Sequence, residues 1–592
     1  MTEGRTLEIH QTRPDDTFAE DDTFVISEEL EQISQEGVEQ LLARFYSADI
    51  QADWDYPIYE CLRLYLIFPV YDNSLVFPAL IANRLVERLS TAQYTEISVE
   101  DVEAPYQYVA ADVAEAVDIP LSNVTLDATS PWRQYATHLY NKTPHLLDLG
   151  LSAIVGPVGG GITDSETLFV PERERFESME PVLEKFDELS IVERGKTFLS
   201  LIRRRKRSGT IKEGYGISPF NSFATPRTVL AALSFSLGDL RREICHERRW
   251  ERQLVQLLEN EIGLPLERTV EFALRDVYGK AFQAASFAEV TTDVVSETGC
   301  EKLVVGRMGR TERAILAAAD ELGVDTYYVP HSVIVGWENI APADTVHFVP
   351  GTPGIEHVRA LSYVDERAEL VPTGRPHLSR LFQTEHEEYV PTDGSLSILV
   401  ITQPWQDHVR TEFVRAVSSA TTEASNATTV TIKPHPAENP SFYRTLTTEL
   451  DGEMRVRTGD LVEQLHASDL VVGIDSNVGL EGIATGVPCV AVNFWEPRIH
   501  SSPYFSNGPI PVLNTPSEVD GFFAGVDRTE LERLYERQIE FAKSAYALES
   551  DPAETIAQWI RTHGGTDTPS RDGQHASGGA VSRSGRVRNP EK

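Results

Sequence analysis

Polar residues suited to gripping an anion recur at three points between Leu396 and Val492, each directly after a short apolar run. The run Leu396–Ile401 ends in Thr402–Gln403–Pro404, and Thr429–Ile432 ends in Lys433–Pro434–His435–Pro436. The third, Asp469–Ile474, ends in Asp475–Ser476–Asn477. Lys433 and His435 stand two apart between prolines that restrain the backbone, so they offer two donors to a phosphate oxygen. The competing reading is a loop in which His435 caps a neighbouring carbonyl. Ser476 and Asn477 suit the start of a helix, where unpaired N–H groups favour an anion. A capped helix without a ligand fits the same pair. Glu481, about one turn on, can accept ribose hydroxyls or face solvent.

A general base for a hydroxyl acceptor is less sharply marked. His331, in Pro330–His331–Ser332, follows an apolar run and is placed to deprotonate a hydroxyl at an interdomain cleft. A lone strand-end histidine is more often structural, and Glu338, Asp344 and Asp407 are competing carboxylates. Gly306–Arg307–Met308–Gly309–Arg310 is a glycine-flanked loop before a helix, fit for an anionic group. Val155–Gly161 is glycine-rich without a clear following helix, which reads as a mobile loop.

The elements that must hold these residues follow from the pattern. Short apolar runs separated by helical periodicity predict a parallel sheet with crossover helices. Ligands then sit beyond the carboxyl ends of the strands. Upstream, Leu303–Val305 and Thr326–Val329 read as strands, with a helix over Thr311–Leu322 capped by Thr311. The chain divides into an acidic disordered tail (1–26), an N-terminal acceptor-side domain with helical insertions (27–383) and a polar linker (384–395). A C-terminal donor-binding domain (396–515), C-terminal helices (516–563) and a disordered tail (564–592) complete it.

Composition narrows the partners. At 592 residues the chain is too long for one ordinary core. No apolar run approaches the ~18 residues that span a bilayer, and the N-terminus lacks a signal-peptide pattern, so the expected location is cytoplasmic. The formal charge is -38, with ten lysines against 43 arginines, a balance that resembles proteins of halophilic archaea. Such a field repels nucleic acid. Arg203–Arg207 breaks the acidic pattern and offers peripheral contact with an anionic membrane or lipid-linked phosphate; salt-bridging to the acidic surface is the alternative. Cys61, Cys245, Cys300 and Cys489 are too scattered for a zinc site or disulfide framework.

Thr402–Gln403–Pro404, Lys433–Pro434–His435–Pro436, and Asp475–Ser476–Asn477 with Glu481 and Gly486–Val487–Pro488 resemble GT-B glycosyltransferases of surface-polysaccharide synthesis. The nearest types are bacterial polysialyltransferases and the CDP-glycerol glycerophosphotransferases of teichoic acid synthesis. Val329–Pro330–His331 resembles their strand ending in His-Gly, with Ser332 in place of the glycine, and Gly374–Arg375–Pro376 resembles their Gly-x-Pro. The likeness covers about residues 297–515. It implies an α/β fold of two Rossmann-like domains of GT-B type facing a cleft, here with additional N-terminal helical segments and disordered tails. His435, Lys433, Ser476 and Asn477 are then expected to hold the donor phosphates, with Thr402, Gln403 and Asp475 beside them and Glu481 on the ribose. The implied reaction needs no metal and no cofactor. It moves a sugar, or sugar-like phosphate group, from a nucleotide-activated donor to a glycan or lipid-linked hydroxyl acceptor. A UDP-sugar 2-epimerase, which shares the fold and an Asp-Ser-x-x-x-x-Glu segment, is the alternative enzyme, and a degenerate scaffold that binds glycan or protein the alternative non-enzyme.

Overall fold

The computed structural model describes residues 5–563 apart from 12–21, 42–74, most of 125–142, 156–164, 172–175, 194–216, 331–344, 361–368, 388–395, 424–427, 451–453, 495–507 and shorter gaps. His331, Glu338, Asp344, Asp475, Arg203–Arg207, the glycine-rich stretch after Val155, most of the expected linker and the 564–592 tail lie outside the described residues.

Three parallel sheets organise the chain. The first corrects the expected disordered N-terminus, because Arg5–His10 (β1) is an inner strand. It pairs with Thr23–Val25 (β2) and Tyr94–Glu100 (β3), and β3 pairs with Leu121–Ser122 (β4), in the order β2-β1-β3-β4. The cause is alternation: Leu7 and Ile9 point inward and are fully buried, a period-2 signal that the acidic surroundings obscure. Val76–Thr91 (α1) and Ala104–Ala116 (α2) pack beside this sheet, and α2 packs on α1.

The second sheet has seven strands: Thr167–Val170 (β5), Ser190–Glu193 (β6), Ile217–Pro219 (β7), Lys302–Val305 (β8), Asp325–Tyr328 (β9), Val346–Val349 (β10) and Leu370–Pro372 (β11). Their order is β11-β10-β9-β8-β5-β6-β7. Its helices include Thr143–Val155 (α3), Phe176–Leu183 (α4), Pro226–Leu237 (α5), Glu267–Thr298 (α6) and Arg310–Glu321 (α7). The helix expected at Thr311 begins one residue earlier, and its cap is Gly309 rather than Thr311. One apolar core runs from Leu7 through α6 to Tyr328, so the first sheet is fused to the second. Asp112 of α2 seals that join by accepting the backbone N–H groups of Arg268 and Thr269 at 3.1 and 2.9 Å, which satisfies the start of α6.

After Pro376–Glu385 (α8) comes the third sheet: Leu396–Ile401 (β12), Thr428–Lys433 (β13), Met454–Val456 (β14), Leu470–Gly473 (β15), Cys489–Val492 (β16) and Val512–Leu513 (β17), ordered β14-β13-β12-β15-β16-β17. Along β12, Ile398 and Val400 enter one core while Leu399 and Ile401 enter the other. A strand buried on both faces needs a continuous apolar run, which is what the sequence carries. Asp407–Glu423 (α9), Pro440–Glu449 (α10), Val478–Thr485 (α11) and Arg528–Ala545 (α12) cover the faces.

Both larger sheets start in the middle, build outward on one side and then on the other. This is Rossmann-like topology, with the reversal between β5 and β8 in one and between β12 and β15 in the other. Two helices tie these α/β units together. Helix α8 packs on α4 of the first and α11 of the second, with Leu378 in the second unit's core. Pro552–Thr562 (α13) returns to the first unit, burying Ile556 and Ile560 against Phe169, Tyr327 and Phe348. No described helix is long and apolar enough to cross a membrane.

Candidate nucleotide-binding site

The register of the third sheet brings the three polar tips to one level. Ile401, the last residue of β12, pairs with Lys433 on one side and Gly473 on the other. Thr402, the Lys433–Pro436 loop and the segment leading to Ser476 therefore emerge side by side at the carboxyl ends of three adjacent strands. The switch point lies between the first and last of them, the position where such sheets bind ligands.

Within that cluster the organiser is Glu438, whose side chain is 1% exposed. Its carboxylate accepts the Thr402 hydroxyl, the His435 backbone N–H at 2.8 Å, the Tyr443 hydroxyl at 2.6 Å and Arg410 Nη1 at 3.2 Å. A buried carboxylate persists only when paired and hydrogen-bonded in this way. Glu438 thus fixes the tip of β12 to the loop after β13. Sequence reading missed it. The available signal was an acidic residue three positions after His435, a spacing at which a side chain reaches back to a backbone N–H.

His435 is exposed, and its Nδ1 accepts the Ala437 N–H at 3.1 Å. The neutral ring consequently carries its hydrogen on Nε2, as a donor rather than an acceptor. Lys433 gives one hydrogen to the Gly459 carbonyl at 2.7 Å, leaving an ammonium with three donors capacity for more. Burial draws its pKa below the usual lysine value, and Asp460 partly opposes this. Ser476 is buried, and its hydroxyl accepts the Val478 N–H at 3.3 Å. Asn477 stands at the N-cap of α11 without a side-chain capping bond. Gln403 is half-buried at the tip of β12.

Asp407 opens α9 with its side chain 77% exposed and paired to Arg410, which stacks 4.3 Å over the Phe442 ring. Arg410 links Asp407 to Glu438, so this carboxylate belongs to the same corner. Glu481 faces the seam between the units. Its carboxylate lies 3.9 Å from Arg375 Nη2 and 3.7 Å from His377 Nε2. Burial, reinforced by Arg375 and Arg380, pushes His377 down to about 4, so its ring is neutral at neutral pH.

On the first unit, the Gly306–Arg310 loop leaves the carboxyl end of β8 at the other switch point. Its anion-binding reading meets a competitor within the chain: Glu312, 2% exposed, accepts the Gly309 N–H at 3.1 Å. The start of α7 is already served by a carboxylate. A further polar pair escaped the sequence reading. Asn221, in the 3-10 turn Phe220–Phe223 just past β7, donates to the buried Asp148 of α3 at 3.0 Å. Among the described residues, no group of three or more His, Cys, Asp or Glu is placed to hold a metal, and Cys300 and Cys489 are free and buried.

No family model matches the chain, and no curated protein matches it. Solved structures similar to it include UDP-GlcNAc 2-epimerase from Neisseria meningitidis bound to UDP-GlcNAc, at 12% identity and TM-score 0.41 over 67% of this chain and 100% of that one. Acinetobacter baumannii MurG is similar at 10% identity and TM-score 0.37, over 67% and 99%. The wall teichoic acid polymerase TagF is similar at 10% identity and TM-score 0.37, over 73% and 96%. At this distance, function has to be argued from the site itself.

Proposed function

We propose that the protein is a GT-B type transferase that moves a sugar, or a sugar-like phosphate group, from a nucleotide-activated donor to a hydroxyl acceptor. The observation that carries this is the convergence of Thr402, Lys433, His435 and Ser476 at the switch point of the third sheet, with Glu438 fixing Thr402 and the His435 loop. Lys433 and the Nε2–H of His435 are donors for the diphosphate, and the start of α11 at Ser476–Asn477 adds backbone N–H groups and a favourable dipole. Negative charge grows on the nucleotide as it departs, and fixed donors that need no reorganisation stabilise it. Gln403 flanks the grip, and Asp475 is expected beside it from its place before Ser476 in the sequence. Glu481 is the ribose partner on this reading, which requires it to exchange its contacts with Arg375 and His377 for sugar hydroxyls.

The second unit is then the donor side and the first the acceptor side, with His331 or Asp407 as general base and a glycan or lipid-linked alcohol as acceptor. The reaction as proposed uses no metal, in a salt-rich cytoplasm suited to the acidic surface, with nucleic acid excluded as partner by charge. The test is a thermal-shift screen of CMP, CDP, UDP and GDP and their sugars in molar KCl, since a ligand of the folded state raises its melting temperature. Transfer assays with the binding sugar nucleotide follow. Turnover of UDP-GlcNAc without any acceptor replaces transfer by 2-epimerisation.

A further inference from the structure

We propose that α3 and α5 form a docking face that seats the first unit on an anionic lipid surface. Six large apolar side chains are well exposed among the described residues, and four of them lie on these two helices. They are Leu147 (56%) and Ile154 (81%) on α3, and Leu230 (66%) and Leu237 (52%) on α5. Each pair is seven residues apart, two helical turns, so each forms a stripe on one side of its helix. The helices pack against each other, and both pack on neighbouring parts of the first unit, α3 on the Phe220–Phe223 turn and α5 on α6. Their inner sides are thereby occupied, with Asp148, Leu149 and Ser152 buried on α3 and Thr228, Ala232 and Phe235 on α5. Exposed leucines grouped in this way mark an interaction surface.

Charge selects the occupant. About one residue in seven of the chain is acidic, 91 of 592, yet α3 and α5 hold one acidic residue between them, Asp148, which is fully buried. Arg227 is exposed in the first turn of α5, and Arg241 and Arg242 are exposed just past its end. An anionic bilayer repels a chain of net charge -38 everywhere except on such a face, where leucines enter the headgroup boundary and arginines meet lipid phosphates. A second copy fits worse, because a twofold contact sets like arginine-bearing stripes together and adds a second -38 charge. The turn under α3 follows the carboxyl end of β7, so docking brings the ligand end of the second sheet toward the lipid. The Arg203–Arg207 run is not needed for this.

The test is co-sedimentation of the full chain with phosphatidylglycerol-containing vesicles and with pure phosphatidylcholine vesicles, in low-salt buffer and in molar KCl, where the Debye length falls to about 3 Å. The wild type is expected to pellet with the anionic vesicles. The variant Leu230→Ser/Leu237→Ser and the variant Ile154→Ser should lose about tenfold in partitioning at both salts, with unchanged melting temperature because these side chains are exposed. Arg227→Glu should lose binding at low salt only. The proposal is overturned if the wild type stays in the supernatant, if it binds both vesicle types equally in low-salt buffer, or if the Leu230→Ser/Leu237→Ser and Ile154→Ser variants bind undiminished. It is also overturned if sedimentation shows a dimer that the leucine variants dissolve, which would make the occupant a second copy.

Discussion

Glu438 carries more of the second unit's site geometry than any residue named from motif spacing. Removing its carboxylate leaves Thr402, Tyr443, Arg410 and the His435 N–H without their shared acceptor. Glu438→Ala should therefore cost about 3 kcal/mol of stability, as breaking one side of a buried charged cluster does, read as a lowered melting temperature. Tyr443→Phe removes one donor and should cost about 1 kcal/mol. His435→Ala should leave the melting temperature unchanged, since the ring is exposed, while lowering transfer about a hundredfold, the scale of a lost oxyanion donor. A measured loss of stability in place of activity would return His435 to a loop-capping role. The motif residues were legible because strand ends announce themselves as polar tips on apolar runs. Glu438 was not, because its partners come from β12, the loop after β13, α9 and α10, and only the folded register brings them together.

At the level of elements, β12, β13 and β15 of the third sheet were readable from their apolar runs, which burial between two helical layers demands, while the short edge strands β14 and β17 carry no such run. Arg5–His10 was missed because its alternation is short and sits among acids. The α13 helix was legible from the spacing of Ala553, Ile556, Ala557 and Ile560, but that spacing does not say which unit its apolar face packs on. The return should matter for stability: Ile556→Ala, at 1% exposure, should cost about 2–5 kcal/mol, measured by denaturant titration. Gly486 ends α11 with φ +109°, and a Cβ there would lie 2.2 Å from the Glu387 carbonyl oxygen. Gly486→Ala should lower the melting temperature through both left-handed strain and that clash. Buried His347 on β10, its ring centroid 4.6 Å from that of Tyr328 and tilted to it, is pushed down to about 3 by desolvation. Its folded pKa lies below the unfolded value of about 6.5, so protons favour the unfolded chain. The stability it contributes is present above that value and lost as pH falls from about 6.5 toward 3. Melting temperatures across that range should fall less steeply for His347→Phe than for the wild type.

Across the whole molecule, two Rossmann-like units are joined by α8 and α13, with Arg375 and His377 at the start of α8 facing Glu481 across the seam. On the proposed reading, a donor held at the switch point with its ribose on Glu481 would couple binding to the relative position of the units. The most direct test of that account is calorimetric titration of the full chain, in molar KCl, with the sugar nucleotide that most raises its melting temperature. The account predicts saturable one-to-one binding to the wild type, weakened at least tenfold in Lys433→Ala and in His435→Ala with both variants fully folded. Undiminished binding in those two variants, or no binding of any nucleotide to the wild type, would contradict it.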